Sequence, residues 1–443
     1  MLPLGNSSEN SVLFSPNFLR IFAKFLDTRQ QLYCHMPHTV IKSHLIHLHD
    51  TAQHFADKAV LSLKKAMAIL LLLAIILVAG YSTNQTPPTA TTMPAATPSV
   101  VTTPPATTVA PTEPSPPADE PANNDWAFDT PDSQGVDGAM LDDLHRAIAD
   151  MEFRSVVIAR NGVIISEYYK DGYDEATVFN LASCTKSFSG ALIGIALREG
   201  ILSGIDQRLP EFFPEIAHEA GKNEVTVAHF LTHTSGISWS EWAGGTMFRQ
   251  FTGSENWVNF VLEQPMAAQP GTVFNYTTGG SHMLAAILQK ASGQTAFDLA
   301  RQYLFAPLGM DSVGWRTDPQ GITDGGNGIS MTARDAAKFG QLYLEGGNWR
   351  GRQIIPGHWV ETSVSQQSVG SGGRSGAYGY QWWLRPFGTG NYDTYYAMGH
   401  GGQFIFVVPE LNLVTVITSR LDDTYAPWPY FADYVLEACE QTL

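Results

Sequence analysis

The sequence predicts an α+β domain: one antiparallel sheet assembled from both ends of the globular part, packed against a mostly helical lobe. Two hairpins and the stretch between them carry that expectation. Near the start, Ser155-Val-Val-Ile-Ala-Arg and Val163-Ile-Ile-Ser-Glu-Tyr flank Asn161-Gly162, and Asn-Gly between two β-rich runs is the strongest short hairpin signal. Near the end, Phe404-Ile-Phe-Val-Val, a turn containing Pro409, and Leu413-Val-Thr-Val-Ile-Thr form a second. Helical periodicity fills the middle.

Taken in order, apolar positions Met140, Leu141, Leu144, Ile148 and Met151 mark a helix ahead of the first hairpin. The segments Ser183 to Arg198 and Gly280 to Ala291 read as helices, and a final helix runs from about Trp428 to the terminus. The globular composition covers residues 126–443, about 318 residues, enough for one large domain or two interlocked lobes. No internal repeat is visible.

Ahead of that domain the chain has a different character. The apolar run Met67 to Gly80 follows Lys64 and Lys65 and is shorter than the ~20 residues of a bilayer span. With Ala79 and Gly80 at its end it suits a signal peptide cut after Gly80, a retained signal anchor being the alternative, so residues 66–83 are read as signal peptide or anchor. A lipoprotein signal would need Cys at position 81, where Tyr81 stands. Residues 84–125 are rich in Pro and Thr and cannot bury a core. As a stalk they would span on the order of 100 Å if polyproline-like. Residues 1–65 are an N-terminal extension: either a cytoplasmic tail on an anchor, or sequence ahead of a true start near Met67. The expected location is outside the cell, secreted or tethered to the outer face of the membrane.

Charge and cysteines narrow the classes further. The net charge is −16, and seven Lys and Arg against four Asp and Glu in residues 1–65 leave −19 on the rest. Such a domain repels phosphate backbones, which speaks against nucleic acid as a partner. Three cysteines, Cys34, Cys184 and Cys439, are too few for a disulfide framework, although Cys184 with Cys439 remains a conceivable bridge. His44, His47, His49, Asp50 and His54 match no standard metal-ligand spacing. A metallohydrolase built on them is a rival reading, and no metal site is expected.

The chemistry centres on Ser183-Cys184-Thr185-Lys186, which opens the apolar helix ending near Arg198 and Gly200. At i and i+3, Ser183 and Lys186 share one helix face, and the helix start offers free N–H groups and positive potential. A serine hydroxyl needs a neighbouring base, and a desolvated lysine can have its pKa lowered enough to serve. By itself Ser-x-x-Lys is common, with Ser as an ordinary N-cap.

Longer strings accompany it: Val225-Thr-Val-Ala-His-Phe-Leu-Thr-His-Thr-Ser-Gly-Ile237, Pro307-Leu-Gly-Met310, Gly328-Ile-Ser-Met-Thr-Ala-Arg-Asp335 and Gly399-His-Gly-Gly-Gln403. Together they resemble the beta-lactamase-like, penicillin-recognising serine hydrolases over most of residues 126–443, and look most like the esterase and 6-aminohexanoate-dimer hydrolase branch. The resemblance implies the beta-lactamase/transpeptidase-like fold, with the active site between sheet and helical lobe. It puts the family's Tyr-x-Asn motif at Tyr276-Thr277-Thr278, where Tyr276 would exchange protons with nucleophile and leaving group. Thr278 stands where the family has the Asn that helps hold a substrate amide, a departure that weakens beta-lactamase activity in particular. The Lys-Thr-Gly triplet of such enzymes becomes His400-Gly401-Gly402. His400 is a weaker anchor for a substrate carboxylate, and the glycines would let substrate approach a strand edge. The oxyanion donors would be the backbone N–H groups of Ser183 and Gln403. His233 would be structural. Trp239, Trp242, Trp382 and Trp383 are candidates for an apolar acyl pocket, with core packing the use of at least half of them.

The expected function is an exported serine hydrolase that cleaves a small ester, amide or peptide through an acyl-enzyme, with catalytic Ser183, Lys186 and Tyr276 and no cofactor. A D-Ala-D-Ala carboxypeptidase or weak beta-lactamase is the nearest alternative. A non-catalytic cell-wall-binding module is the alternative of another class. Oligomeric state is left open.

Overall fold

A computed structural model describes residues 125–241, 246–371 and 374–440. The expectations for residues 1–65, 66–83 and the stalk up to residue 124, for Cys34, the histidine group near His44 and Trp242 lie outside the described residues. Among the described residues, no helix is long and apolar enough to cross a membrane.

The strands, in chain order, are β1 Ala127–Phe128, β2 Phe153–Arg160, β3 Val163–Tyr169, β4 Val178–Asn180, β5 Gly314–Trp315, β6 Ile329–Thr332, β7 Asn348–Trp349, β8 Arg352–Gln353, β9 Ala377–Tyr378, β10 Trp383–Phe387, β11 Tyr392–Gly399, β12 Gln403–Val408 and β13 Leu413–Ser419. Eight of them form the main sheet in the order β1-β3-β2-β13-β12-β11-β10-β9. The first predicted hairpin, β2–β3, turns at Asn161 (φ 53°) and Gly162 (φ 80°), the left-handed pair a tight two-residue hairpin needs. The second, β12–β13, turns through Pro409–Leu411 and Asn412. Pairing of β13 with β2 joins the two ends, Leu413 opposite Arg160. The sheet is antiparallel except at one edge, where β1 pairs parallel with β3.

Both faces of this sheet are covered, so its central strands read as continuous apolar runs rather than alternating ones. On one face Val157, Ala159, Ile405, Val407, Val414 and Val416 meet the helical middle. There Phe188, on the helix Thr185–Arg198, stacks at 3.7 Å on Phe339 of the helix Ala333–Leu344. The opposite face, with Val156, Ile158, Phe404, Phe406 and Ile417, is covered by helices from the two ends of the described domain. These are Gly138–Ile148, which buries Leu141, Leu144 and Ile148, and the helical run Pro427–Tyr430, Phe431–Leu436 and Glu437–Glu440.

Cys184 and Cys439 are free and buried, one in each of these two cores. No bridge joins them. A smaller sheet, β4-β6-β5, lies beside the start of the Ser183 helix, with Leu181 N donating to Ile329 O at 3.1 Å. This contact ties the segment carrying Ser183 to the strand holding Ile329–Thr332.

Candidate active site

Ser183 sits in a single 3-10 turn, Ala182–Cys184, immediately before the helix Thr185–Arg198. Ala182 holds φ at 47°, a left-handed conformation that a residue with a Cβ adopts only when its surroundings impose it. Here they do. Asn180 Oδ1 accepts from Ala182 N at 2.8 Å, and Thr185 Oγ1 donates to Ala182 O at 2.6 Å while accepting from Ile329 N at 3.0 Å. Gly399, ending β11, completes the fit: a Cβ there would stand 2.2 Å from Leu181 O.

Lys186 is 1 % exposed. Its Nζ lies 3.0 Å from Ser183 Oγ, 3.1 Å from Thr278 Oγ1 and 2.7 Å from Gly326 O. Burial brings its pKa down from 10.5 to about 8, against the opposing pull of Glu241, Asp324 and Cys184. The Gly326 carbonyl is placed by Asp324, whose Oδ1 accepts from Gly326 N at 3.0 Å and Asn327 N at 3.1 Å while Oδ2 pairs with Arg316.

Tyr276 precedes the helix Thr278–Ser292. Its hydroxyl hydrogen-bonds Ser183, and burial, only partly offset by that bond, raises its pKa far above the ordinary phenol value. Its ring stacks on Trp383 at 5.5 Å and 24°, and Lys186 Nζ lies 4.8 Å from the ring centroid. His233 packs its ring 4.7 Å from Tyr276 and accepts from Thr277 N at 3.4 Å. Burial first, and Lys186 second, hold its pKa well below 6.5. It is a neutral packing residue.

These groups open into a cleft of about 980 Å³ lined by Ser183, Tyr276, Thr278, Gly399, His400, Gly401 and Gln403 among others. His400 is exposed, and His400–Gly402 form the turn between β11 and β12. Gly401 (φ 80°) and Gly402 (φ 84°) make that turn possible. Both carbonyls accept from Ser419 Oγ, at 2.6 and 2.8 Å, so they are committed to holding the turn against the end of β13. Gln403 is fixed from both sides. Its side chain donates to Ser419 O at 2.6 Å and His400 O at 3.2 Å, and the Cys184 thiol donates to its carbonyl at 3.6 Å.

The structure thus brings Ser183, Lys186, Tyr276 and Thr278 into one hydrogen-bonded group, with His400, Gly401 and Gln403 facing the same cleft. The three described candidate tryptophans stay out of it. Trp239 and Trp382 are buried in the helical-lobe core, and Trp383 backs Tyr276, so the three described ones pack.

Glu241 is the residue that sequence reasoning missed. One carboxylate oxygen accepts from Thr278 N at 3.0 Å and from the Trp239 indole; the other accepts from the Thr278 hydroxyl. No motif marks it, since position 241 becomes relevant only when the fold carries it to residue 278. Gly326, and Asp324 that places it, were missed for the same reason, since Gly326 O meets Lys186 Nζ across 140 positions; Asn180, which bonds Ala182 two residues on, carries no motif.

Residues 141–440 match the beta-lactamase family. This chain belongs to that family. Among curated proteins it is similar to the 6-aminohexanoate-dimer hydrolase of Paenarthrobacter ureafaciens, 24 % identical over 305 residues that cover 64 % of this chain and 76 % of the relative. It is also similar to esterase EstB of Burkholderia gladioli, 27 % identical over 215 residues, 42 % of this chain and 54 % of that one. Among solved structures, the octameric penicillin-binding protein homologue from Pyrococcus abyssi superposes with a TM-score of 0.55 at 21 % identity, over 68 % of this chain and 77 % of that one. That likeness supports the fold.

Proposed function

We propose that this protein hydrolyses small esters or amides through a Ser183 acyl-enzyme. The observation that carries the reading is the buried Lys186 amine 3.0 Å from the Ser183 hydroxyl. In the first half-reaction Ser183 Oγ bonds to the acyl carbon as its proton passes to Lys186 Nζ, and the leaving group departs with a proton delivered through Tyr276. Tyr276 keeps its proton at neutral pH because burial makes the phenolate costly, which suits a donor. In the second half-reaction water attacks the acyl carbon, its proton passes to the same base, and Ser183 regains its hydrogen.

The backbone N–H groups of Ser183 and Gln403 are the proposed oxyanion donors, an arrangement in which losing one donor typically costs about a hundredfold to a thousandfold in rate. The anchoring of Gln403 to Ser419, His400 and Cys184 supports that role, because a donor helps only if it is fixed before charge develops. Thr278 favours esters over acylamino substrates such as beta-lactams. Its hydroxyl hydrogen is spent on Glu241, leaving no donor for a substrate amide carbonyl. Of the relatives named above, the esterase EstB leans the same way. The basic-flanked apolar run and the Pro/Thr stalk support export, secreted or tethered.

The test is turnover of a p-nitrophenyl ester panel, nitrocefin and a D-Ala-D-Ala peptide by the protein and by Ser183→Ala, with a fluorophosphonate probe. Short acyl esters should be the best substrates, and Ser183→Ala should lose roughly a thousandfold or more in kcat together with probe labelling. Equal turnover in the two proteins would overturn Ser183 as nucleophile, and absence of turnover and of labelling in the parent would favour a wall-binding module.

A further inference from the structure

The three acceptors around Lys186 pose a question of hydrogen inventory. A lysine that takes a proton from Ser183 must begin as a neutral amine, with two hydrogens and one lone pair. Gly326 O, 2.7 Å away, is a carbonyl and can only accept, so one hydrogen goes there. The lone pair must face Ser183 Oγ at 3.0 Å. The second hydrogen must therefore go to Thr278 Oγ1 at 3.1 Å. A threonine hydroxyl is ambivalent, however. If its own hydrogen turned towards Nζ, it would occupy the lone pair that Ser183 needs.

Glu241 removes the ambivalence. Its carboxylate takes the Thr278 hydroxyl hydrogen on one oxygen and the Thr278 amide N–H on the other, and an ionised carboxylate can only accept. Thr278 Oγ1 is then left to present a lone pair to Lys186. We propose that Glu241 is a positioning residue for the Ser183–Lys186 pair, holding the Thr278 hydroxyl as an acceptor so that the amine lone pair is left to Ser183. The inference rests on the serine-hydrolase reading above and adds to it a residue on the cleft wall that acts on Lys186 through Thr278.

The arrangement makes Glu241→Gln an unusually pointed change. The carboxylate oxygen that receives both the Trp239 indole N–H and the Thr278 amide N–H must remain an oxygen. The new NH2 is then forced to face Thr278 Oγ1. It donates there, and the Thr278 hydrogen is driven towards Lys186. The variant also removes a negative charge. The groups facing Lys186 are Glu241, Asp324, the Cys184 thiol, His233 and Tyr276, and Glu241 is the first of those whose charge favours the ammonium form.

The experiment measures kcat and KM for a p-nitrophenyl ester against pH in the full chain, for Glu241→Gln, Glu241→Asp, Thr278→Val and the Glu241→Gln/Thr278→Val double variant, with Ser183→Ala alongside. Glu241→Gln should lower the plateau kcat about tenfold to a hundredfold with KM within about twofold. Its acid limb should move to lower pH, because the amine loses a stabilising anion. Glu241→Asp should recover part of the loss. Without the Thr278 hydroxyl, Glu241→Gln should lower the plateau no further. A plateau unchanged in Glu241→Gln, or one falling as far in the Thr278→Val background as in the parent, would overturn the positioning role. Should Glu241→Gln melt early, the Glu241→Asp profile and the Thr278→Val comparison decide the matter. Retained turnover in Ser183→Ala is a separate outcome, and sinks the Ser183 acyl-enzyme reading itself.

Discussion

Lys186 is asked to do two things that pull its protonation in opposite directions. Burial in the helical lobe favours the neutral amine, whereas the carboxylates of Glu241 and Asp324 favour the ammonium, and the balance falls at about 8. Because the proposed acylation step needs the amine, the pH dependence has a definite sign. The reactive fraction is small below the folded pKa and complete above it, so kcat/KM should rise about tenfold per pH unit up to about 8 and then level. Stopped-flow acylation with a p-nitrophenyl ester measures this directly, and a profile flat through pH 8 would contradict Lys186 as the base. Lys186→Arg, which cannot deprotonate, should be inactive across the whole range. Much of this group was legible in the sequence: Ser183 and Lys186 through their i, i+3 spacing, Tyr276 and Thr278 through the resemblance. Glu241 was not, because its partner lies 37 positions away and only the fold makes them neighbours.

At the scale of elements, the site depends on how closely β11 approaches the turn that carries Ser183. Gly399 is the point of nearest approach, with Leu181 O 2.2 Å and Ala182 Cβ 3.1 Å from where a Cβ would be. The Leu181 carbonyl is backbone and cannot rotate aside, so Gly399→Ala should push the end of β11, and with it Gln403, away from Ser183. A displacement of that kind typically costs on the order of a hundredfold in kcat, and the prediction is checked by the same ester assay with thermal melts alongside. Gly253→Ala is the control, since nothing lies within 4 Å of a Cβ there. Its rate should match the parent. The hairpins around Asn161-Gly162 and Pro409 were readable because β-rich runs and turn residues coincide. Two-residue strands such as β1, β5 and β9 fall below any window in which periodicity can be counted. The strand β11, Tyr392–Gly399, was readable only at its glycine end, because Asp393 and Thr394 break its apolar run.

For the whole molecule, the site lies on the seam between sheet and helical middle, so its geometry depends on the sheet keeping both faces covered. The two ends of the described domain supply the cover on the side away from Ser183. Phe431 is fully buried there and stacks on Phe406 of β12 at 4.0 Å and 4°, and β12 begins at Gln403. Truncating Phe431 to Ala removes a large side chain from a closed core, a change that costs about 3–5 kcal/mol. The loss is transmitted to the strand carrying the proposed oxyanion donor. Phe431→Ala should therefore lower the denaturation midpoint of a chain beginning at Trp126 in a single cooperative transition, with activity and ellipticity lost together. If the sheet and helical middle were instead independent units, the helical signal from Thr185–Arg198 and Thr278–Ser292 would survive after turnover had gone. Equilibrium urea melts followed by far-ultraviolet circular dichroism and by ester hydrolysis separate the two cases. Coincident curves are expected, because β2 and β13 pair across the ends of the domain, and neither the sheet nor the cleft is complete until both ends have docked.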